Sequence, residues 1–200
     1  MSDTANATAT DEDVLRARFW GLLAALLAAP PSAQVLGMLS TIESDDSDIG
    51  QALAALAAAA RSTTPAAAED EFTTLFIGLS RGELVPFGSY YQTGFLHEKP
   101  LAALRADLAA LGIEVEEGVS EPEDHIAILA EIMQALIDGS LGAPLSLPEQ
   151  RQFFAAHIEP WAARFFTDLE NCAAAGLYRP VGRLGRLFLE VEAQAFAMLD

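Results

Sequence analysis

Cysteine is nearly absent from this chain. Cys172 is the single cysteine in 200 residues, so neither an intrachain disulfide nor a zinc or iron–sulfur site with several cysteine ligands can form. A reducing compartment is therefore sufficient for folding. The sequence also lacks a Gly-x4-Gly-Lys phosphate loop and a His-Glu-x-x-His run, which are signatures of nucleotide hydrolases and zinc proteases. We predict that the protein uses no cofactor and no metal.

Positive charge is also scarce. The chain has 11 Lys and Arg residues against 29 Asp and Glu residues, giving a formal net charge of -18 and a pI near 4.3. A field of this sign repels nucleic-acid phosphates and anionic lipid headgroups. The composition therefore argues against nucleic acids and membrane surfaces as partners and favours basic peptides.

Long apolar runs are missing as well. The most apolar stretch, Phe19 to Ala29, is shorter than the roughly 20 residues that a membrane-spanning helix needs, and Pro30 ends it. The segment Met1 to Asp13 contains acidic residues and no basic residue, so it lacks the positive region of a secretory signal. We predict a cytoplasmic protein without an integral membrane segment.

The residues that are present predict a folded, helical domain. Hydrophobic residues make up 52% of the chain and charged residues 20%, which excludes wholesale disorder. Ala, Leu, Glu and Gln are abundant and no segment shows sustained strand-type alternation. We predict an all-α, single-domain bundle of about eight to ten helices over residues 11–200, preceded by a disordered tail over residues 1–10.

Capping signals give the expected helix starts. Asp11 is suited to cap a first helix that runs to Ala29, and Thr64 precedes a proline at the first position of another helix. Ser120 and Glu123 form a candidate capping box that opens a central helix to about Asp138, and Ser146 repeats this signal. Glycines and a proline predict a loop over residues 78–94.

The densest polar cluster is the segment Glu121–His125. In the predicted first turn of a helix, Glu121 and His125 would lie on one face, where carboxylates are stabilised by the helix dipole. Plain helix capping explains this pattern. The alternative is a small helical metal-dependent enzyme centred on Glu121, Asp124 and His125, although the spacing lacks the second Glu-x-x-His pair of a di-iron bundle.

Aromatic residues concentrate around the predicted loop. Phe87, Tyr90 and Tyr91 fall inside it, and loops with clustered aromatics often bind ligands. Phe72 and Phe76 precede it at helical spacing, which is typical of core residues.

Several segments, in this order along the chain, resemble motifs of the TorD/DmsD family of cytoplasmic chaperones for molybdenum-cofactor oxidoreductases. The similarity extends over most of the chain, and its most specific element is the Glu-Pro-x-Asp-His signature. The matching segments are Phe72–Gly78, Pro86–Ser89, Glu121–His125, His157–Trp161 followed by Phe165, and Leu177–Arg179.

The resemblance implies a one-domain all-helical fold, no catalysis, and binding of the twin-arginine signal peptide of a client enzyme until its cofactor is inserted and export by the Tat system is safe. Phe72 stands where some relatives have tryptophan. The family's peptide-binding surface maps onto Phe72, Leu75, Phe76, Ser89, Pro122, Asp124 and His125. To this set we add the loop aromatics Phe87 and Tyr90 and the carboxylate of Glu121.

The chemistry of such a peptide fits the sequence. A twin-arginine signal joins a basic region to an apolar region of about 7 to 15 residues, so its receptor needs carboxylates beside an apolar groove. Glu121, Glu123 and Asp124 can pair with guanidinium groups, while Phe72 and its apolar neighbours line the groove. Protonation of His125 near neutral pH would weaken binding of a cation.

The client and the oligomeric state stay open at this point. A formate dehydrogenase, a dimethyl sulfoxide reductase or a trimethylamine oxide reductase is a possible client, and the protein is either a monomer or a dimer with exchanged helices around Gly139 to Pro148. An acidic helical interaction module with another partner is a third hypothesis for the function.

Overall fold

The described part of the chain consists mainly of helices. The structure, a computed structural model, describes residues 10–78, 82–113 and 121–199. Within these residues the chain forms ten α-helices and one π-helical segment. These are α1 Asp11–Ala28, α2 Ala33–Ser40, α3 Asp48–Ser62, α4 Pro65–Phe72, the π segment Thr73–Ile77, α5 Gly88–Thr93, α6 Lys99–Ala110, α7 Ile126–Asp138, α8 Leu147–His157, α9 Ala162–Asn171 and α10 Tyr178–Ala197. The predicted all-α single-domain fold is confirmed, whereas the predicted tail lies outside the described residues except for Thr10.

Helix α7 lies at the centre of the bundle. Nine of its thirteen residues are buried, because apolar side chains occur on almost every side of this helix rather than along one stripe. Helix α1 packs along α7, and α10 packs against α9 and α3. The core is rich in large aromatic side chains, including Trp20, Phe154, Trp161, Phe165, Phe166 and Tyr178.

Most helix starts agree with the capping signals in the sequence. The side chains of Ser32 and Thr64 accept hydrogen bonds from backbone N–H groups of α2 and α4, as Ser47 does for α3. Ser146 and Glu149 form a capping box at α8. Helix α1 differs by one residue from the prediction, since Thr10 is its cap. Side-chain oxygens at these positions satisfy donors that have no partner within the helix.

A buried polar network joins the first and last helices. The Arg16 guanidinium donates from Nε to Glu192 Oε1 at 2.6 Å and from Nη2 to Glu192 Oε2 at 2.9 Å. Asp13, Gln150 and the indole N–H of Trp20 complete the network. Glu192 is 1% exposed, and its two oxygens are satisfied by these donors, as a buried charge requires.

Helix α4 is tied to the start of α10 by one carboxylate. Glu71 accepts hydrogen bonds from the backbone N–H groups of Gly176, Leu177 and Tyr178 at 2.8 to 3.0 Å. These are unpaired donors at a helix N-terminus, where a negative charge is favoured. This contact fixes the π segment, which follows α4 directly, against the last helix.

No helix in the described part of the chain combines the length and the apolar character needed to cross a bilayer.

Candidate functional site

The acidic segment Glu121–His125 precedes α7 and does not form its first turn. Helix α7 begins at Ile126 with His125 as its N-cap, and Ser120, the predicted cap, lies outside the described residues. The prediction that Glu121 and His125 share a helix face is therefore wrong. The physical reason is a pairing with a distant segment, which keeps the backbone at His125 extended.

That pairing is a short antiparallel bridge between Phe87 and His125. The N–H of Gly88 donates to the carbonyl of Asp124 at 2.9 Å, and the N–H of Ile126 donates to the carbonyl of Pro86 at 2.9 Å. The bridge brings six of the predicted site residues into one region, namely Phe87, Ser89, Tyr90, Pro122, Asp124 and His125.

Asp124 holds the start of helix α5. Its Oδ2 accepts the backbone N–H of Ser89 at 2.6 Å, and the residue is 3% exposed. Asp124 Oδ1 and the hydroxyl of Ser89 are buried and have no hydrogen-bond partner among the described residues. An unsatisfied buried polar atom lowers the free energy of unfolding by about 1–3 kcal/mol. These two atoms therefore reduce the stability of the fold at the predicted site.

His125 is neutral near pH 7. Burial lowers the pKa of its imidazole to about 4, and its Nδ1 accepts the N–H of Ala127 at 3.1 Å, which requires an unprotonated nitrogen. The ring also packs edge-on against Phe87 with 4.9 Å between centroids. The expectation that His125 becomes protonated near neutral pH is therefore wrong, because the buried ring favours the uncharged form.

Helix α5 occupies part of the predicted loop. Ser89, Tyr90 and Tyr91 lie on this six-residue helix, so the prediction of a continuous loop over residues 78–94 is wrong there. The Tyr91 hydroxyl donates to Asp168 Oδ2 at 3.0 Å, and its ring lies beneath the Arg164 guanidinium. Burial, followed by the charge of Asp168, raises the pKa of Tyr91 above its ordinary value.

A cleft of about 410 Å³ opens between α5, α9 and the segment before α5. Its lining residues are Glu83, Leu84, Val85, Tyr90, Tyr91, Gly94, Arg164 and Asp168. We call this the α5 cleft. Of the predicted site residues, Tyr90 lines the α5 cleft directly. Leu84 and Val85, which were not predicted, provide part of its apolar wall. The sequence interpretation missed Arg164 and Asp168, which come from α9, because nothing in their local pattern distinguishes them from an exposed helix face.

The three aromatic and aliphatic residues predicted from α4 and the π segment lie mostly in the core. Leu75 is fully buried and Phe72 is 8% exposed, while Phe76 is half-buried and stacks edge-on with Tyr178 at 5.4 Å. Leu75 and Phe72 therefore lie in the core, beneath the surface residues of the candidate site. The carbonyl of Leu75 accepts the N–H of Leu84 at 2.8 Å, so this group supports one wall of the α5 cleft.

The carboxylates around the bridge differ in what they contact. Glu121 is exposed. Glu123 is 16% exposed at its side chain and is paired with Arg105 of α6, whose Nε lies 2.9 Å from both carboxylate oxygens and whose Nη2 lies 2.8 Å from Oε2. Burial opposes ionisation of Glu123, but the hydrogen bonds from Arg105 hold its pKa below the ordinary value. These two carboxylates, with Asp124 beneath them, form an acidic edge next to α5.

The arrangement does not bring metal ligands together. His125 Nδ1 and Asp124 Oδ2 are both engaged by backbone N–H groups. In residues 10–78, 82–113 and 121–199, no group of three or more His, Cys, Asp or Glu side chains has the geometry to hold a metal ion.

Comparison with known proteins places the chain in a family. A family model described as the nitrate reductase delta subunit matches residues 42–167, which is more than half of the chain. The chain belongs to this family. The matched region contains α3 to α8 and most of α9, and thus both partners of the bridge and every lining residue of the α5 cleft except Asp168.

Proteins with similar sequences are named as chaperones. The chaperone protein TorD of Vibrio cholerae is 32% identical over 127 residues, which cover 60% of this chain and 58% of that protein. The Tat proofreading chaperone DmsD of Salmonella typhimurium is 27% identical over 186 residues, which cover 90% of this chain and 88% of that protein. The predicted resemblance to TorD and DmsD is confirmed, and none of these names denotes an enzyme.

The fold also has a counterpart among solved structures. The crystal structure of an Archaeoglobus fulgidus protein, described as a redox enzyme maturation protein, superimposes with a TM-score of 0.55 at 20% sequence identity. It covers 94% of this chain, and this chain covers 99% of it. This likeness supports the all-helical fold.

Proposed function

We propose that this protein is a cytoplasmic, non-enzymatic chaperone for redox-enzyme maturation that binds the twin-arginine signal peptide of a molybdenum-cofactor oxidoreductase. The observation that carries the proposal is the bridge between Phe87 and His125. It sets the acidic edge, formed by residues 121–124, beside the aromatic α5 cleft. A receptor for a peptide with arginines followed by an apolar helix needs these two surfaces side by side.

The acidic edge suits the arginines of the peptide. Glu121 is exposed and Glu123 is partly exposed, so both can form charge-assisted hydrogen bonds with a guanidinium, which matches a carboxylate with two parallel N–H donors. The net charge of -18 attracts a basic peptide over longer distances. Asp124, with its carboxylate directed to Ser89, positions this edge against α5.

The surface around α5 suits the apolar part of the peptide. Leu84, Val85 and Tyr90 are half-buried in the α5 cleft and form its apolar part beside the charged residues that also line it. Phe95 and Leu96, which follow α5, are 69% and 42% exposed and extend this apolar surface. A helical segment of about 7 to 15 residues is about 10 to 22 Å long, and apolar surface of this kind often marks a docking site for an amphipathic or apolar helix.

The relatives support the biological setting. One is named a Tat proofreading chaperone and another a TorD chaperone, and we propose that residues 11–200 act as one chaperone domain in the same way. A formate dehydrogenase, a dimethyl sulfoxide reductase or a trimethylamine oxide reductase is the proposed client. The protein acts as a monomer or as a dimer with exchanged helices.

Calorimetric titration with a synthetic twin-arginine signal peptide tests the proposal. We expect micromolar or tighter binding that weakens from low to moderate salt, because screening reduces the attraction between exposed charges. Replacing both peptide arginines with lysine should reduce the affinity, since an ammonium lacks the paired donors of a guanidinium. Glu121→Gln should weaken binding about two- to fivefold, as expected for one exposed ion pair.

Glu43→Gln is the matched control. It removes the same charge from an exposed residue between α2 and α3 and should leave the affinity unchanged. Failure of several twin-arginine signal peptides to bind would overturn the proposal. Metal analysis of the same purified protein then tests the alternative of a metal-dependent enzyme, for which a stoichiometric transition metal is required.

A further inference from the structure

The ion pair between Arg105 and Glu123 resembles the contact that a peptide arginine would make. The Arg105 guanidinium presents two neighbouring nitrogens, Nε and Nη2, to the carboxylate of Glu123 at 2.8 to 2.9 Å. This is the forked geometry in which arginine recognises a carboxylate. The described chain therefore already holds a guanidinium on the acidic edge.

The two partners of this pair differ in how firmly they are held. The side chain of Glu123 is 16% exposed, and it lies between Pro122 and Asp124, whose backbone is fixed by the bridge to α5. The side chain of Arg105 is 57% exposed and reaches Glu123 from the solvent side of α6. A long, exposed side chain can leave without disturbing the core, whereas the carboxylate remains in place.

The surroundings favour a guanidinium at this position for a second reason. The charge of Asp124 also acts on Arg105 and, after the hydrogen bonds from Glu123, helps to raise the pKa of its guanidinium. Two carboxylates of the acidic edge thus attract one cation. An arginine from another chain would experience the same attraction if Arg105 were displaced.

We propose that Glu123, supported by Asp124, is an arginine-binding subsite, and that Arg105 occupies it in the peptide-free protein and must leave when a peptide arginine binds. This inference rests on the proposed function. Arg105 is then an internal competitor, and its presence lowers the apparent affinity for the peptide because only the fraction of molecules with an open subsite can bind.

A set of variants of the full-length protein tests the competition by calorimetric titration with the twin-arginine peptide. Arg105→Gln should bind the peptide about two- to fivefold more tightly than the wild type, which is the range for release of one exposed ion pair. Glu123→Gln should bind less tightly. In the Glu123→Gln background, adding Arg105→Gln should bring no further gain, because the two residues act through one interaction.

Arg186→Gln controls for the general effect of removing a positive charge from an acidic protein. Arg186 forms a similar ion pair with Glu170 between α9 and α10, and its loss changes the net charge by the same amount. We expect its affinity for the peptide to equal that of the wild type. Thermal unfolding of each variant confirms that the fold is retained, which the exposure of Arg105 predicts.

The possible failures can be told apart. If the wild type binds the peptide and Arg105→Gln binds equally or more weakly, or no more tightly than Arg186→Gln, the competitor role of Arg105 is overturned while the proposed function stands. If neither the wild type nor any variant binds a twin-arginine peptide, the proposed function itself fails, and the subsite falls with it.

Discussion

The protonation state of His125 controls a helix start. Its Nδ1 caps α7 by accepting the N–H of Ala127, so a proton on this nitrogen removes the cap and places a charge in a buried position. Because burial lowers the folded-state pKa to about 4, the unfolded chain binds the proton first as the pH falls. The contribution of neutral His125 to the unfolding free energy is therefore fully present above the unfolded-state pKa of about 6.5, and it is lost as the pH falls towards 4.

We therefore predict that His125 contributes a loss of about 3 kcal/mol in unfolding free energy between pH 7 and pH 4. The measurement is chemical denaturation across this range for the wild type and for His125→Asn, whose amide oxygen retains a capping acceptor without a titrating group. Over this range the unfolding free energy of the wild type should fall by about 3 kcal/mol more than that of His125→Asn. Parallel profiles would show that His125 does not titrate in this way.

At the scale of the elements, α9 and α10 approach each other closely. A Cβ atom at Gly182 of α10 would lie 2.4 Å from the backbone nitrogen of Glu170 in α9, so the two backbones approach as closely as only glycine permits. Helix α9 contributes Arg164 and Asp168 to the α5 cleft. The packing of this pair therefore determines one wall of the candidate site.

We predict that Gly182→Ala lowers the unfolding free energy by about 1–3 kcal/mol, because the methyl group forces the helices apart. Gly37→Ala in α2 is the opposite case, since nothing lies within 4 Å of its Cβ position, and it should stabilise the protein by about 0.5–1 kcal/mol through helix propensity. Thermal unfolding of both variants checks the prediction. Equal effects of the two substitutions would contradict it.

The success of the sequence interpretation also varies by element. Thr64 and Ser146 are predicted caps and act as caps, because the capping interaction extends over only three residues of chain. The start of α7 and the existence of α5 were not predictable in this way, since both depend on the bridge between two distant segments. The same limit applies to Leu75, whose apolar character predicts burial or binding equally well until its neighbours are known.

At the scale of the whole molecule, the ion pair of Arg16 with Glu192 connects α1 to α10. Helical periodicity predicts which residues of each helix are apolar, but it does not show that a buried arginine and a buried glutamate face each other across the bundle. Removal of Arg16 leaves the buried charge of Glu192 uncompensated, and removal of Glu192 leaves Arg16 with Asp13 as its remaining charged partner.

We predict that Glu192→Leu lowers the unfolding free energy by about 3–5 kcal/mol, whereas combining it with Arg16→Met recovers much of this loss. Denaturant titration of the two single variants and the double variant gives the coupling energy directly. Additive effects of the two substitutions would mean that the pair is not a unit, and that the surrounding helices carry the stability instead.

The position of this pair has a consequence for biosynthesis. Arg16 and Glu192 are separated by 176 residues, so the ribosome must add all of these residues before α1 can meet its charged partner on α10. At typical translation rates of about 5 to 20 residues per second, this delay is about 9 to 35 s. During that interval α1 can associate with α7. Arg16 cannot be buried against Glu192, and the bundle cannot close, until α10 has been synthesised.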